Sequence, residues 1–238
     1  MVFASMLFIW LFLPVTLVLY YLLSLTKKQV LKNLLLLLVS ILFYAWGEPK
    51  YVVLLFISVA INYTGGLGIA WAGENSGARK AALFVTVLLN LLLLGYFKYY
   101  NFFADNINGL LGGELIPVRD IVLPIGISFY TFQAMSYVID LYRGKCLLQR
   151  SFWKLLLYIM FFPQLIAGPI VRYRDVAEQI DERHVDFDKF ALGVTRFMVG
   201  FGKKVLLANT FAEAVDKVFS IPGLDISTAM AWYGMLLY

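Results

Sequence analysis

Gln133, Ser136, Tyr137 and Asp140 lie inside Ile121 to Arg143, IVLPIGISFYTFQAMSYVIDLYR, a stretch otherwise apolar enough for a bilayer. At 3.6 residues per turn these four, with Phe129, fall on one side of a helix, while Ile127, Met135 and Val138 face elsewhere. A lipid-facing helix has no use for such a stripe, so the pattern predicts a polar face turned to protein or to a water-filled cavity. A carboxylate at membrane depth costs roughly 2.5 to 3.5 kcal/mol on insertion scales and marks a functional position by default. The structural alternative for Asp140 is an i,i+3 ion pair with Arg143 near the interface, and for Tyr137 it is core packing with a satisfied hydroxyl. Pro124 and Gly126 free backbone groups just before this helix, which a membrane interior tolerates only against protein or a cavity.

The whole chain carries the same character. Its 238 residues are 61% hydrophobic and only 15% charged, and the mean hydropathy is +0.79. Soluble domains are about 45 to 50% apolar, so the composition indicates an all-α, polytopic transmembrane protein. The net charge of +5 sits mostly between hydrophobic runs, where it orients the chain in the membrane; no groove for nucleic acid is implied. One cysteine, Cys146, and one histidine, His184, exclude an internal disulfide, a Cys-based metal site and a His cluster, so no metal is expected. The N-terminal run has no basic region or cleavage site of a signal peptide and reads as a retained helix.

Taking about 20 apolar residues per span, the predicted spans are Val2 to Leu23, Val30 to Trp46, Tyr51 to Trp71, Ala81 to Phe97 and Ile121 to Arg143. The connections bearing Lys27, Lys80 and Lys145 are basic and are assigned to the cytoplasm, with the N-terminus outside. Asn62 and Asn90 lie within spans, and Gly65, Gly66 and Gly68 allow close approach of another helix. The aromatic cluster from Tyr96 to Phe103 reads as an interfacial belt, with an in-plane helix as its continuation. Phe152 to Val171 is broken by Pro163, Gly168 and Pro169, giving two half-helices or a re-entrant hairpin. Arg172 to Lys189 is a solvated loop with a short surface helix, Phe190 to Leu207 a further helix and Phe211 to Phe219 a separate amphipathic one. The run from Ile226 to Tyr238 is about half a bilayer long, which reads as a truncated product; the expectation is one transmembrane domain over residues 1–238, cut short at its C-terminal end.

Four runs in order carry a resemblance: SILFYAWGEPKYVVLLFISVAINY at Ser40 to Tyr63, LPIGISFYTFQAMSYVIDLYRG at Leu123 to Gly144, FFPQLIAGPIVRYRD at Phe161 to Asp175, and GFGKKVLLAN at Gly200 to Asn209. Together they resemble the membrane-bound O-acyltransferase (MBOAT) family, within it the bacterial branch of alginate O-acetylation and teichoic acid D-alanylation, and only its N-terminal half. The resemblance implies a ring of tilted helices in the bacterial inner membrane, where a cytoplasmic acyl donor (acetyl-CoA or an acyl carrier) meets an exported polysaccharide such as alginate. It also implies a periplasmic acetyltransferase partner, no bound cofactor, and a catalytic histidine in the C-terminal half. The residues matching family motifs as chamber-lining or positioning groups are Gln133, Tyr137, Asp140, Gln164, Pro169 and Arg172. No residue of the chain is assigned as catalytic: His184 sits in an acid-rich solvated run and is read as a surface residue. The chain on its own is therefore expected to be inactive. A transporter or lipid-linked carrier flippase is the alternative reading, favoured by the polar stripe and broken helices, and a structural membrane subunit is a third. GxSxG, GxxxxGK[ST] and HExxH do not occur, so a serine hydrolase, a P-loop ATPase and a zincin have no local motif. Lys203 and Lys204 suit an anionic headgroup or serve as a positive-inside anchor.

Overall fold

Leucine-rich runs 16 to 20 residues long, punctuated by Gly, Pro and Asn, dictate a chain of membrane-length helices. A computed structural model describes residues 3–26, 28–113, 115–165, 169–183, 186–221 and 226–238. Among the described residues every regular element is helical, which makes the protein all-α and polytopic. Its contacts form two compact units, one built on Pro14–Arg183 and one on Val2–Leu13 with His184–Tyr238.

The first unit contains α1 (Leu13–Ser24, from Pro14 on), α2 (Gln29–Gly47), α3 (Val52–Trp71), α4 (Ser76–Leu111), α5 (Ile127–Tyr142), α6 (Phe152–Met160), α7 (Phe162–Leu165) and α8 (Tyr173–Asp181). Three stretches, Gln29–Gly47, Pro49–Trp71 and Ser76–Leu111, are long and apolar enough to cross a membrane. The helical run at the N-terminus, Phe8–Ser24, is shorter than the predicted span. Asn75 caps α4 by accepting the Ala78 N–H at 3.0 Å, and Gly112, at φ +68°, stops it in the left-handed conformation that glycine adopts without strain. Between those two points α4 runs unbroken for 36 residues, about 54 Å at 1.5 Å per residue. The aromatic belt is thus carried on the helix itself, and the in-plane helix predicted after Phe97 is absent. No proline interrupts this run, and its last turns have a task that composition does not announce. Asn101 and Asn108 each pair with the backbone of the following extended segment: Asn101 with Arg119 at 2.7 and 3.0 Å, Asn108 with Ile116 at 2.8 and 2.9 Å.

That segment leads to α5 and is held from the other side by the turn between α2 and α3. Glu48 accepts the Ile125 N–H at 2.8 Å, Tyr51 donates to the Val122 carbonyl at 2.8 Å and Tyr44 to the Ile125 carbonyl at 3.3 Å. Irregular backbone is thereby satisfied by protein. At the opposite end of α5, Arg79 donates to the Tyr142 carbonyl at 2.9 Å and lies 5.5 Å over its ring, a cation at a helix C-terminus. Helices α3 and α4 meet through a reciprocal amide pair, Asn62 with Asn90, at 2.9 and 3.2 Å. One turn further on, a Cβ at Gly65 would stand 2.1 Å from the Thr86 hydroxyl, so this crossing admits only glycine.

α5 sits at the centre of the unit. Ile127, Met135 and Val138 are buried as fully as Gln133, Tyr137 and Asp140, and it is Phe129 and Phe132 that are exposed. The predicted division into a polar inner face and an apolar outer one is therefore replaced by burial on nearly all sides, as expected of a helix surrounded by others.

The broken segment after α5 resolves into a re-entrant hairpin. Lys154 near its start pairs with Asp181 near the end of α8 at 2.6 Å. Gln29 and Asn33, in the first turn of α2, reach the Ile180 carbonyl at 3.3 and 2.8 Å. Both arms thus begin and end on the side where α2 begins. The helix α7 docks where the Ser40 hydroxyl accepts the Phe162 N–H at 3.2 Å. Ser40 is about 16 Å along the axis from Gln29 at the helical rise, half of a bilayer core about 30 Å thick.

The second unit contains α9 (Phe187–Gly202), a π-helical stretch Lys203–Ala208, α10 (Asn209–Phe219) and α11 (Thr228–Leu237). Here the two helices predicted over Phe190–Leu207 and Phe211–Phe219 are one continuous run, because nothing between them breaks the backbone. α11 packs on α10 where Gly234 approaches the Val218 side chain; a Cβ there would lie at 2.8 Å. His184, Lys27 and the Pro222-Gly223 turn lie outside the described residues.

Gly65→Ala is expected to lower thermal stability in detergent by about 1 to 3 kcal/mol through overpacking against Thr86, and Thr86→Gly is expected to return part of it; an unchanged melting temperature for Gly65→Ala would contradict the close crossing. The hairpin is tested by single cysteines in a Cys146→Ser background, since burial, with Asp140 nearby, pushes the native thiol up to about 11 but does not abolish labelling. An impermeant maleimide should reach Lys28→Cys and Glu182→Cys from one side and Lys50→Cys from the other. Labelling of the first two from opposite sides would show that the segment crosses the membrane.

Candidate functional site

A hairpin that stops at mid-depth must satisfy its broken backbone internally, and the residues that do so converge on Tyr158. Its carbonyl accepts from the Gln133 amide on α5 at 3.0 Å and from the Gln164 amide on α7 at 2.5 Å. Its phenol donates to the Val171 carbonyl on the returning arm at 2.7 Å. Ser136 turns its hydroxyl to the Gln133 carbonyl at 2.7 Å. One turn along α5, the Tyr137 hydroxyl accepts the Gln149 N–H at 3.0 Å, and the Gln149 amide donates to the Tyr173 hydroxyl at 2.7 Å. Tyr173 packs edge-on against both Tyr137 and Tyr158, with ring centres 5.0 and 5.2 Å apart.

Asp140 completes this side of α5. It is 5% exposed, and its Oδ2 atom is buried with no hydrogen-bond partner. Among the described residues it forms no salt bridge, so the ion pair with Arg143 is not made; Arg143 is exposed. The turn beyond α5 closes over it, with the Lys145 N–H on the Asp140 carbonyl at 2.8 Å and the Cys146 thiol 3.8 Å from the Tyr137 carbonyl.

The structure therefore brings together Gln133, Tyr137, Asp140 and Gln164 of the six predicted positions. Pro169 and Arg172 are exposed on the returning arm. Tyr158, Gln149 and Tyr173 belong to the group and were not singled out from sequence. Tyr158 lies in an apolar run and contributes largely through its carbonyl, which no side-chain pattern reveals; Gln149 is a lone polar residue beside a basic loop. A polar cluster enclosed by aromatic rings at this depth can hold and orient a polar group in a medium where hydrogen bonds are strong. Among the described residues no cluster of His, Cys, Asp and Glu fit to hold a metal ion occurs.

The model of MBOAT, the membrane-bound O-acyltransferase family, matches residues 149–238, which begin at Gln149 and include the hairpin. The chain is 43% identical to the "Probable alginate O-acetylase AlgI" of Pseudomonas syringae pv. tomato over all of its own length and 45% of the relative's. It is 32% identical to the peptidoglycan O-acetyltransferase of Helicobacter pylori over its whole length and 50% of that protein. A teichoic acid D-alanyltransferase of Lacticaseibacillus rhamnosus aligns at 26% identity over 58% of the chain. No solved structure matches. The chain spans about half the length of the curated relatives it matches most fully. Its ordered motifs, its helical architecture and these full-length similarities agree: the chain belongs to the membrane-bound O-acyltransferase family.

Proposed function

We propose that this chain serves in a membrane O-acyltransferase that moves an acyl group, most simply acetyl, from a cytoplasmic donor to an exported polysaccharide such as alginate. The observation that carries this reading is 43% identity along the entire chain to an alginate O-acetylase. The donor, acetyl-CoA or an acyl carrier, is a substrate and not a resident cofactor, and a periplasmic acetyltransferase is the expected partner at the bacterial inner membrane. Residues 1–238 act within one membrane domain in this proposal.

Transfer to a hydroxyl joins the acceptor oxygen to the acyl carbonyl carbon, releases the donor thiol and moves the hydroxyl proton to a base. Gln133, Tyr137, Asp140 and Gln164 line or position the chamber for that reaction; bond making is not assigned to them. Gln133 and Gln164 fix the hairpin tip through the Tyr158 carbonyl. Tyr137 anchors the loop at Gln149, and Asp140 presents an unpaired carboxylate oxygen inside the protein. Pro169 and Arg172, exposed in this chain, shape the returning arm.

The test is a chimera in which this chain replaces the matching stretch of the Pseudomonas syringae relative, expressed in a strain lacking its own acyltransferase. Ester content of the exported alginate should be restored. Asp140→Leu and Gln133→Leu should each lower it by roughly 10- to 100-fold through misplacement of the reacting groups, with membrane levels of the protein unchanged. Arg143→Gln, at an exposed position, should have no effect. Normal esterification with Asp140→Leu would remove Asp140 from the chamber, and a folded chimera without any esterification would count against acyl transfer as a whole.

A further inference from the structure

A second polar cluster lies where α2 begins, and its unusual feature is charge without a counter-charge. Lys32 is 5% exposed. Its ammonium has one hydrogen-bond partner among the described residues, the main-chain carbonyl of Arg183 at 3.3 Å, which leaves two of three N–H groups without an acceptor. Arg183 is half-buried beside it. Its guanidinium reaches Asn33 Oδ1 and lies 5.9 Å over the Tyr20 ring, and its Nε is enclosed with no acceptor.

Asp181 is engaged by Lys154 at 2.6 Å and Asp175 by Arg174 at 3.4 Å, and among the described residues neither Lys32 nor Arg183 forms an ion pair. The amides that complete the cluster, Gln29 and Asn33, are spent on the Ile180 carbonyl. A buried ammonium beside a half-buried guanidinium is repelled by it and has lost water, so an anion from outside the chain is the natural way to hold both in place.

A cleft opens beside them. Leu36, one turn along α2 from Lys32, lines it with Leu157 and Phe161, Arg183 forms part of its wall, and Tyr158 and Gln164 of the site around α5 border it as well. We propose that Lys32 and Arg183 bind the phosphate of an amphiphile whose apolar chain lies in this cleft. A phosphate offers several acceptor oxygens, enough for the free ammonium protons and the Arg183 Nε together, and arginine binds it through a fixed fork. The cleft supplies the apolar partner for whatever the phosphate carries. That chemistry is that of an anionic phospholipid of the bilayer. Binding is read without turnover, so its failure leaves the acyl-transfer proposal untouched.

The chain is purified in detergent, and binding of dioleoyl-phosphatidylglycerol, dioleoylglycerol, acetyl-coenzyme A and inorganic phosphate is followed by thermal shift and native mass spectrometry. Phosphatidylglycerol should bind and dioleoylglycerol should not. Lys32→Met and Arg183→Gln should each weaken binding by about tenfold or more, the loss of one charge-assisted hydrogen bond, while Lys32→Arg retains it. If acetyl-coenzyme A binds in place of the lipid with the same loss in both variants, the two cations belong to the acyl donor and the lipid site is overturned. Arg183→Gln, at the half-buried rim, decides the matter if Lys32→Met does not fold. Equal binding of dioleoylglycerol, undiminished binding to Arg183→Gln, inorganic phosphate binding as tightly as either amphiphile, or no binding of any probe would overturn the proposal.

Discussion

Inside a bilayer there is no water to bond with broken backbone, and an unsatisfied N–H or C=O costs several kcal/mol. The first unit of this protein is arranged around that requirement. Its chain leaves regular helix twice at depth or near it, before α5 and at the tip of the hairpin, and both times side chains from distant helices supply the missing partners. Glu48, Tyr51, Asn101 and Asn108 hold the segment before α5. Ser40, Gln133 and Gln164 hold the hairpin. The length of α4 follows from the same cause, since its last turns must reach far enough to present both asparagines.

This separates the polar residues of the candidate site by what they are for. Gln133 and Gln164 have a complete structural account as donors to the Tyr158 carbonyl, and Tyr137 has one as the acceptor for Gln149. Asp140 has none. It is buried, the Arg143 three residues on is exposed, and one carboxylate oxygen has no partner. Native proteins bury such atoms rarely, and where they do the position demands a further explanation. The argument for a chamber therefore rests more on Asp140 than on the better-bonded residues around it.

Much of this was legible in the sequence, and the parts that were not share a reason. The apolar runs gave the helices α2 and α3, the Gly-Glu-Pro turn gave the break between them, and Pro163 with Pro169 signalled the hairpin. The stripe of Gln133, Ser136, Tyr137 and Asp140 points to polar groups turned toward protein. Periodicity within one helix could not show that α5 is enclosed on nearly all sides, because that depends on α3, α4 and α6. Nor could it pair Asn62 with Asn90 or Gly65 with Thr86, although both asparagines and the glycine were conspicuous by themselves. The contribution of Tyr158 was invisible for a stricter reason: its carbonyl is a group every residue has, and only the fold makes that one carbonyl the hub.

Depth and sidedness then constrain any transfer across the membrane. The described arms of the hairpin begin and end on the side where α2 begins, and α7 docks at Ser40, about 16 Å along α2 from Gln29 at the helical rise. A transporter must carry its whole substrate past such a barrier and commonly does so by moving two matched repeats against each other. Under the acyl-transfer proposal nothing so large has to cross, because donor and acceptor can approach a shared chamber from opposite faces and exchange only the acyl group. A rigid partition is then an advantage, since fixed groups stabilise developing charge without reorganising when the reaction occurs. The Tyr158 hub, bonded from α5, α7 and the returning arm at once, is built for rigidity and not for opening.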